Sequence, residues 1–381
     1  MKPRILIALN TAWNLVNFRA GLIRALVAQG YEVVAVAPDD AYSERLAGLG
    51  CRFIALPMDN QGTHPGRDLL LFFRFLKLLH RERPDVFLGY TAKPNIYGSL
   101  AASLLGIPVV NNIAGLGAVF IQDGWLVRLV RGLYRVALSR SAKVFFQNND
   151  DRSLFINMKM VKTEVSDLLP GSGIDLTRFI CTVEKYGVPY SARNSGNNFR
   201  FILIARMLKD KGVGEYVAAA KIIRAHYPQA QCCLLGFVDA LNPAAISRAE
   251  IDAWVAQGNV LYLGVSDDVR VEIAEADCIV LPSYREGTPR TLLEAAAMGK
   301  PIITTDAVGC REVVDDDVNG FLCKVRDAED LAATMLRMIE LSLSERAAMG
   351  AAGRKKMELQ FDENIVIDKY LEAIGTLARK R

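Results

Sequence analysis

Two kinds of apolar run alternate along this chain, one short and nearly continuous, the other longer and spaced at helical intervals. Residues 4–9, 32–37, 52–56, 85–90, 108–113 and 143–147 are short runs rich in Val, Ile, Leu and Phe and predict strands. Between them, residues 15–29, 68–82 and 125–139 gather apolar side chains on one face and predict helices. Strands that are apolar nearly throughout and are separated by helices predict a parallel sheet covered on both faces. The pattern loosens over residues 170–198, where Gly, Ser, Asn and Pro concentrate. A second series follows, with strands predicted at 201–205, 231–235, 260–263, 278–281 and 301–305 and closing helices at 331–340, 343–359 and 362–379. The expected fold class is α/β, with two Rossmann-like domains in tandem. Periodicity alone does not say which domain takes the last helix.

Length agrees: 381 residues is too long for one typical domain of roughly 100–200 residues. Hydrophobic residues make up 51% and charged residues 23%, as in a globular protein and unlike a disordered one. The uncharged stretch 94–122 is long enough to span a bilayer, but Pro108, Asn111 and Asn112 break it, so no transmembrane helix is expected. The apolar run after Lys2 and Arg4 is too short for a signal peptide. Seven scattered cysteines without a C-x-x-C, beside only three histidines, predict buried reduced thiols in a cytoplasmic protein and no metal site. Residues 1–180 hold 21 Lys/Arg against 14 Asp/Glu, and residues 181–381 hold 25 against 28. The basic first half suggests an anionic surface or a phosphate-bearing partner; no motif supports nucleic acid.

The most informative segment is 281–299, L-P-S-Y-R-E-G-T-P-R-T-L-L-E-A-A-A-M-G. It reads as a strand end, a Gly/Pro loop and a helix beginning near Pro289, with Thr288 as the expected N-cap. A helix start beyond the carboxyl edge of a parallel sheet presents unpaired N–H groups and a positive dipole end, where phosphorylated ligands bind. Glu286 and Glu294 bracket that start. Carboxylates do not suit phosphate, but each can accept a pair of hydroxyl hydrogen bonds, so a sugar on one side of a diphosphate and a ribose on the other are natural ligands. Taken singly, a surface or loop role remains open for each glutamate.

The segment from Tyr284 to Asp306, followed by G-C-R-E-V-V and D-V-N-G-F-L, resembles the signature of the family 4 glycosyltransferases. The segments 205–213 (A-R-M-L-K-D-K-G-V) and 262–269 (Y-L-G-V-S-D-D-V) resemble the family's Arg…Lys-Gly element and its nucleotide-base loop. The resemblance implies the GT-B architecture, two Rossmann-like domains whose parallel sheets face a central cleft. Its domains would run 1–175 for the acceptor, 176–198 as linker and 199–361 for the nucleotide sugar, with helix 362–381 rejoining the first. It also implies Arg206 and Lys211 on a diphosphate, Glu286 on the donor sugar, Glu294 on ribose, Gly287, Thr288, Pro289 and Arg290 around the phosphates, and Gly264 and Val265 beside the base. Two cations and a helix start can stabilise a departing nucleoside diphosphate without a metal, so no cofactor is expected besides a UDP-sugar substrate. The acidic run Asp315–Asp317 is expected to be solvated turn.

Phe18-Arg19, the segment 115–120 (G-L-G-A-V-F), Asn242-Pro243 and the segment 361–364 (F-D-E-N) resemble bacterial members that extend undecaprenyl-diphosphate-linked sugars, many with UDP-N-acetylhexosamines such as UDP-GalNAc. A membrane-held acceptor agrees with residues 125–143, where Arg128, Arg131 and Arg135 share a helical face, Leu126, Leu129, Val130 and Leu133 line another, and no acid intervenes. This helix is the first expectation for the membrane and the lipid diphosphate, and 69–79 the second; ordinary packing against the sheet stays open for both. Many family members carry a histidine after the fifth strand, but this chain has none between His80 and His226. Without a base in sight, retention is expected by same-face displacement, the leaving phosphate taking the acceptor proton. The expected activity is thus retaining transfer of a sugar from UDP to a polyprenyl-diphosphate-linked saccharide, by an enzyme peripheral to the inner face of the cell membrane. A soluble or lipopolysaccharide-core acceptor and a non-catalytic nucleotide-sugar-binding protein are the alternatives.

Overall fold

The structure is a computed structural model and describes residues 2–378 apart from 60, 61, 63, 116–124, 181–198 and 241. Most of the 115–120 motif, most of the expected linker and Cys181 therefore lie outside the described residues. The chain divides into two compact units, Met1–Ser172 with Glu363–Arg381, and Gly173–Asp362.

In the first unit the chain runs β1 (Arg4–Ala8), α1 (Ala12–Phe18), α2 (Ala20–Ala28), β2 (Glu32–Ala37), β3 (Arg52–Ala55), α3 (Pro65–Glu82), β4 (Val86–Tyr90), α4 (Ser99–Leu104), β5 (Val109–Ile113), α5 (Trp125–Leu138), β6 (Lys143–Phe146), α6 (Asn149–Asn157) and β7 (Ser166–Leu168). All seven strands are parallel, in the order β3-β2-β1-β4-β5-β6-β7, so the strand order reverses between β1 and β4. Alternate side chains feed two cores, as the period-two pleat requires. Ile5, Ile7 and Leu88 face α1 and α2, whereas Leu6, Ala8, Phe87 and Val109 face α3 and α4. The α5 and α6 helices cover Val144 and Phe146 on that second side. The three-residue strand β7 was not anticipated, because Ser-Asp-Leu shows no periodicity.

Residues 15–29, read as one helix, form two. Arg19 leaves helical geometry at φ −129°, and its guanidinium turns inward to lie 4.4 Å from the ring centre of Tyr90, with only 5% of the residue exposed. The polar residues after β1 satisfy local backbone: the Thr11 hydroxyl accepts from the Asn14 N–H at 3.1 Å and caps α1.

In the second unit the order is β8 (Arg200–Ile204), α7 (Val213–His226), β9 (Gln231–Leu235), α8 (Arg248–Ala256), β10 (Leu261–Tyr262), α9 (Val269–Glu275), β11 (Cys278–Leu281), α10 (Arg290–Ala297), β12 (Ile302–Thr305), β13 (Gly320–Cys323), α11 (Ala328–Glu340) and α12 (Leu343–Lys356). The sheet is again parallel, ordered β10-β9-β8-β11-β12-β13. Ile174 and Phe179 are buried in this unit's core, so residues 173–180, partly assigned to the linker by sequence, belong to the second fold unit. The acidic run is not merely solvated: Asp315 pairs with Lys356 at 2.8 Å, Asp316 accepts from the Leu322 N–H, and Asp317 pairs with Arg337. The last helix, α13 (Glu363–Ala378), buries Val366, Ile367, Tyr370 and Ile374 in the first unit's core. Six described cysteines are free and buried.

Candidate functional site

The second unit's polar groups concentrate in the loops leaving the carboxyl ends of its strands. After β8, Met207 and Leu208 are buried and anchor the next loop, while the Arg206 side chain stays half-exposed, 3.6 Å from Asp239. The turn at Asn242-Pro243 buttresses that loop from behind, with the Lys209 N–H donating to Ala244 O and the Ile246 N–H to Met207 O, both at 2.9 Å. A short helical turn, Lys209–Lys211, then ends at Gly212 with φ +70°. A Cβ there would stand 2.1 Å from the carbonyl oxygen of Pro282, so only glycine lets this loop close on the one after β11.

That closure brings Lys211 to Glu286. The ammonium donates to Glu286 Oε1 at 2.5 Å, and the Ser283 hydroxyl donates to the same oxygen at 2.8 Å. Lys211 and Glu286 side chains are 14% and 16% exposed, so the pair is mostly shielded but keeps an open side. Among the described residues Glu286 Oε2 has no partner, which leaves one oxygen able to accept from a ligand hydroxyl. The backbone is fixed as well: the Glu286 N–H donates to Val308 O at 2.9 Å, and a Cβ on Gly309 (φ +86°) would lie 2.3 Å from Glu286 O.

The α10 helix begins one residue later than the sequence suggests. Pro289, with ψ 113°, is the N-cap and makes no side-chain capping bond, so Thr288 is not the N-cap. Proline has no N–H and its ring fixes φ, so it ends the loop, and the Leu292 N–H closes the first turn onto Pro289 O at 3.1 Å. Arg290 and Glu294 form an i,i+4 pair at 3.1 Å, and Arg290 also donates to Gly173 O at 2.8 Å. Burial raises the Glu294 carboxyl above its ordinary range, against the pull of Arg290 and Arg178.

Gly264 lies beyond β10 at φ +76°, and its carbonyl accepts from the Gly236 N–H at 2.8 Å. Phe237, 49% exposed, follows Gly236, and Val265, 67% exposed, follows Gly264. Phe237 was missed by sequence reasoning; an aromatic directly after a glycine at a strand end was the available signal. Of the predicted donor residues, the structure joins Lys211 with Glu286 and Arg290 with Glu294; Arg206 instead faces Asp239. Among the described residues no cluster of His, Cys, Asp and Glu fits a metal ion.

In the first unit, the asparagines of β5 are structural in a specific way. The Asn111 amide donates to Asn95 Oδ1 at 2.9 Å and to the Ser99 hydroxyl at 2.8 Å, and accepts from Ser141 at 2.6 Å. Asn112 donates to the Tyr370 hydroxyl at 3.0 Å, tying β5 to α13. On α5, Val127, Tyr134, Ala137 and Leu138 face the core, with Val130 and Leu133 packed partly against it, while Leu129 and Val136 are exposed. Arg128 and Arg135 are exposed and Arg131 is only partly so, so the expected basic face is narrower than its sequence spacing suggests and the apolar face read from sequence is split. Leu126 lies outside the residues whose side chains are described.

Comparison with known proteins follows this division. Residues 191–356 match the family model described as glycosyl transferases group 1, and residues 17–169 match a glycosyl transferase 4-like domain. The N,N'-diacetylbacillosaminyl-diphospho-undecaprenol alpha-1,3-N-acetylgalactosaminyltransferase of Campylobacter jejuni is 30% identical over 372 residues, covering 94% of this chain and 95% of that protein. The UDP-Gal:alpha-D-GlcNAc-diphosphoundecaprenol alpha-1,3-galactosyltransferase of Escherichia coli is 24% identical, covering 72% of this chain and 71% of its own. Among solved structures, Anabaena Alr3699/HepE in complex with UDP-glucose superposes with a TM-score of 0.77 at 18% identity over 98% of this chain and 99% of that one. The sucrose-phosphate synthase of Thermosynechococcus elongatus gives 0.80 at 18% identity over the whole of both chains. The fold is GT-B.

Proposed function

The chain belongs to the glycosyl transferases of group 1, and from that premise we propose that it moves an N-acetylhexosamine, GalNAc foremost, from UDP to an undecaprenyl-diphosphate-linked saccharide with retention of configuration. The observation that carries this reading is the pair of carboxylates, each mostly shielded and each held by a cation, on either side of a helix start. The α10 start, Lys211 and Arg206 take the diphosphate, and Gly287, Thr288, Pro289 and Arg290 form the turn around it. Glu286 Oε2 accepts from donor-sugar hydroxyls, while Glu294 accepts from ribose. Gly264 and Val265, with Phe237, offer apolar surface to the base.

As the bond between the anomeric carbon and the phosphate oxygen breaks, negative charge grows on the departing diphosphate. Fixed positive groups stabilise it more in the transition state than in the ground state, which is what accelerates the step. The acceptor hydroxyl oxygen bonds to the anomeric carbon on the vacated face, and its proton passes to the leaving phosphate oxygen. No metal takes part. The acceptor's lipid holds the enzyme peripherally at the inner face of the cell membrane; no described helix is long and apolar enough to cross one.

UDP release, measured over a panel of UDP-sugars with and without lipid-linked acceptors, tests the reading. Release should require both a UDP-N-acetylhexosamine and a polyprenyl diphosphate saccharide. UDP binding without release from any pair would point to a non-catalytic binder, and equal release with soluble saccharides would remove the lipid from the assignment.

A further inference from the structure

Helices that cover a sheet usually turn polar side chains to water, and α3 turns large apolar ones there as well. Leu69, Leu70 and Phe73 stand on its outward face with 58%, 49% and 53% of their surface exposed. The two acids of α3 both point inward: Asp68 pairs with Lys93 at 2.8 Å, and Glu82 pairs with Arg52 beneath the helix. The charges left outside are positive. Lys77 is exposed and has no carboxylate partner among the described residues, whereas Arg67 pairs with Asp59 at 3.1 Å.

The neighbouring helices extend this surface. The α3, α4 and α5 helices pack side by side on the same side of the sheet, because Phe87, Val109, Ile113 and Phe146 alternate toward that one layer. Leu104 ends α4 with 67% exposure, and α5 adds Leu129 and Val136, at 48% and 61%, beside Arg128 and Arg135. Among the described residues neither arginine has a carboxylate partner, and α4 and α5 contain no acid. Large apolar side chains among unpaired cations match a bilayer interface whose headgroups carry negative charge. A second copy of the same face would set like charges against each other.

We propose that the outward face of α3, with the exposed parts of α4 and α5 beside it, is the surface by which this protein lies on an acidic lipid bilayer. This deepens the reading of a membrane-held acceptor and makes α3, not α5 alone, the principal contact. Flotation of the full chain with phosphatidylcholine vesicles, with and without one-third phosphatidylglycerol, measures it. The wild type should float with the acidic vesicles, less with neutral ones, and less again at high salt.

Replacing Leu69, Leu70 and Phe73 together by Ser should lower the bound fraction at least ten-fold, and Lys77→Glu with Arg128→Glu should do the same on acidic vesicles only. Arg24→Glu, exposed on the helical layer across the sheet, should change neither. All the altered side chains are solvent-exposed, so melting temperatures should stay at wild-type values, as should UDP release by the triple-serine variant with a short-chain, water-soluble acceptor. Wild-type flotation of the triple-serine variant would overturn the proposal, as would loss of a dimer on its light-scattering profile, which would assign the face to a second copy. If no acceptor supports UDP release while flotation follows these outcomes, the transferase reading fails and the docking face stands.

Discussion

Both sheets present their carboxyl edges in the same α/β manner, yet the polar chemistry at the two edges is opposite. At the second unit's edge it is ionic and partly open: Lys211, Glu286, Arg290 and Glu294 side chains are between 13% and 16% exposed. On β5 of the first unit it is neutral and sealed, with Asn111 and Asn112 at 0% and 1%. Amides that satisfy one another can be buried completely, because no charge loses its water. Charges cannot be buried so cheaply and stay paired near an opening, where a ligand can replace solvent. The second edge is therefore built to receive charge, whereas β5 of the first is built to be held rigid.

Lys211→Ala should separate the two edges most sharply. The ammonium acts on charge that grows as the glycosyl–phosphate bond breaks, so its loss should lower kcat by about 100- to 1,000-fold, the range for removing one preorganised donor to a developing anion. UDP affinity should fall much less. Steady-state UDP release beside calorimetric titration of UDP checks both. A kcat within about three-fold of wild type would erase the distinction drawn between the edges.

Asn111→Ala should produce the reverse profile. It removes the partner of Asn95, Ser99 and Ser141 in a sealed site, and each stranded polar group costs about 1–3 kcal/mol. Urea denaturation should give a loss of about 2–4 kcal/mol, with kcat of the folded fraction near wild type. A large kcat defect at unchanged stability would mean that this network faces the acceptor.

Much of this division is legible in the sequence, for physical reasons. Strands 32–37, 231–235 and 278–281 were read at their observed bounds because buried parallel strands are uniformly apolar and end sharply. Glu286 and Glu294 stood out through their spacing around a Gly-Thr-Pro turn, and the turn is local chemistry. What stayed hidden depends on residues distant in sequence. Nothing in the run 15–29 shows that Arg19 will stack on Tyr90 and interrupt a helix, or that the Glu363 carboxylate will press against Gly21, where a Cβ would meet it at 2.6 Å. The inward turn of Asp68 and Glu82, which leaves α3 positive outside, likewise depends on Lys93 and Arg52.

The smallest expected effect tests whether Glu294 is kept for a ligand at a cost to the empty protein. Its carboxyl is raised above the ordinary value of 4.5, chiefly by burial, so the folded chain holds that proton more tightly than the unfolded chain does. By linkage, its contribution to stability is least unfavourable below 4.5, worsens as pH rises through 4.5 to the raised value, and is constant above that. Glu294→Gln keeps the shape and removes the titration. Without UDP the variant should therefore melt slightly above wild type at neutral pH, and the gap should close as pH falls below 4.5. With saturating UDP the order should invert, because a neutral amide is a poorer acceptor for two ribose hydroxyls than a carboxylate. Melting curves at both pH values, with and without UDP, decide the point. A gap that does not depend on pH, or an order that UDP leaves unchanged, would place Glu294 with the sealed polar groups of the first unit.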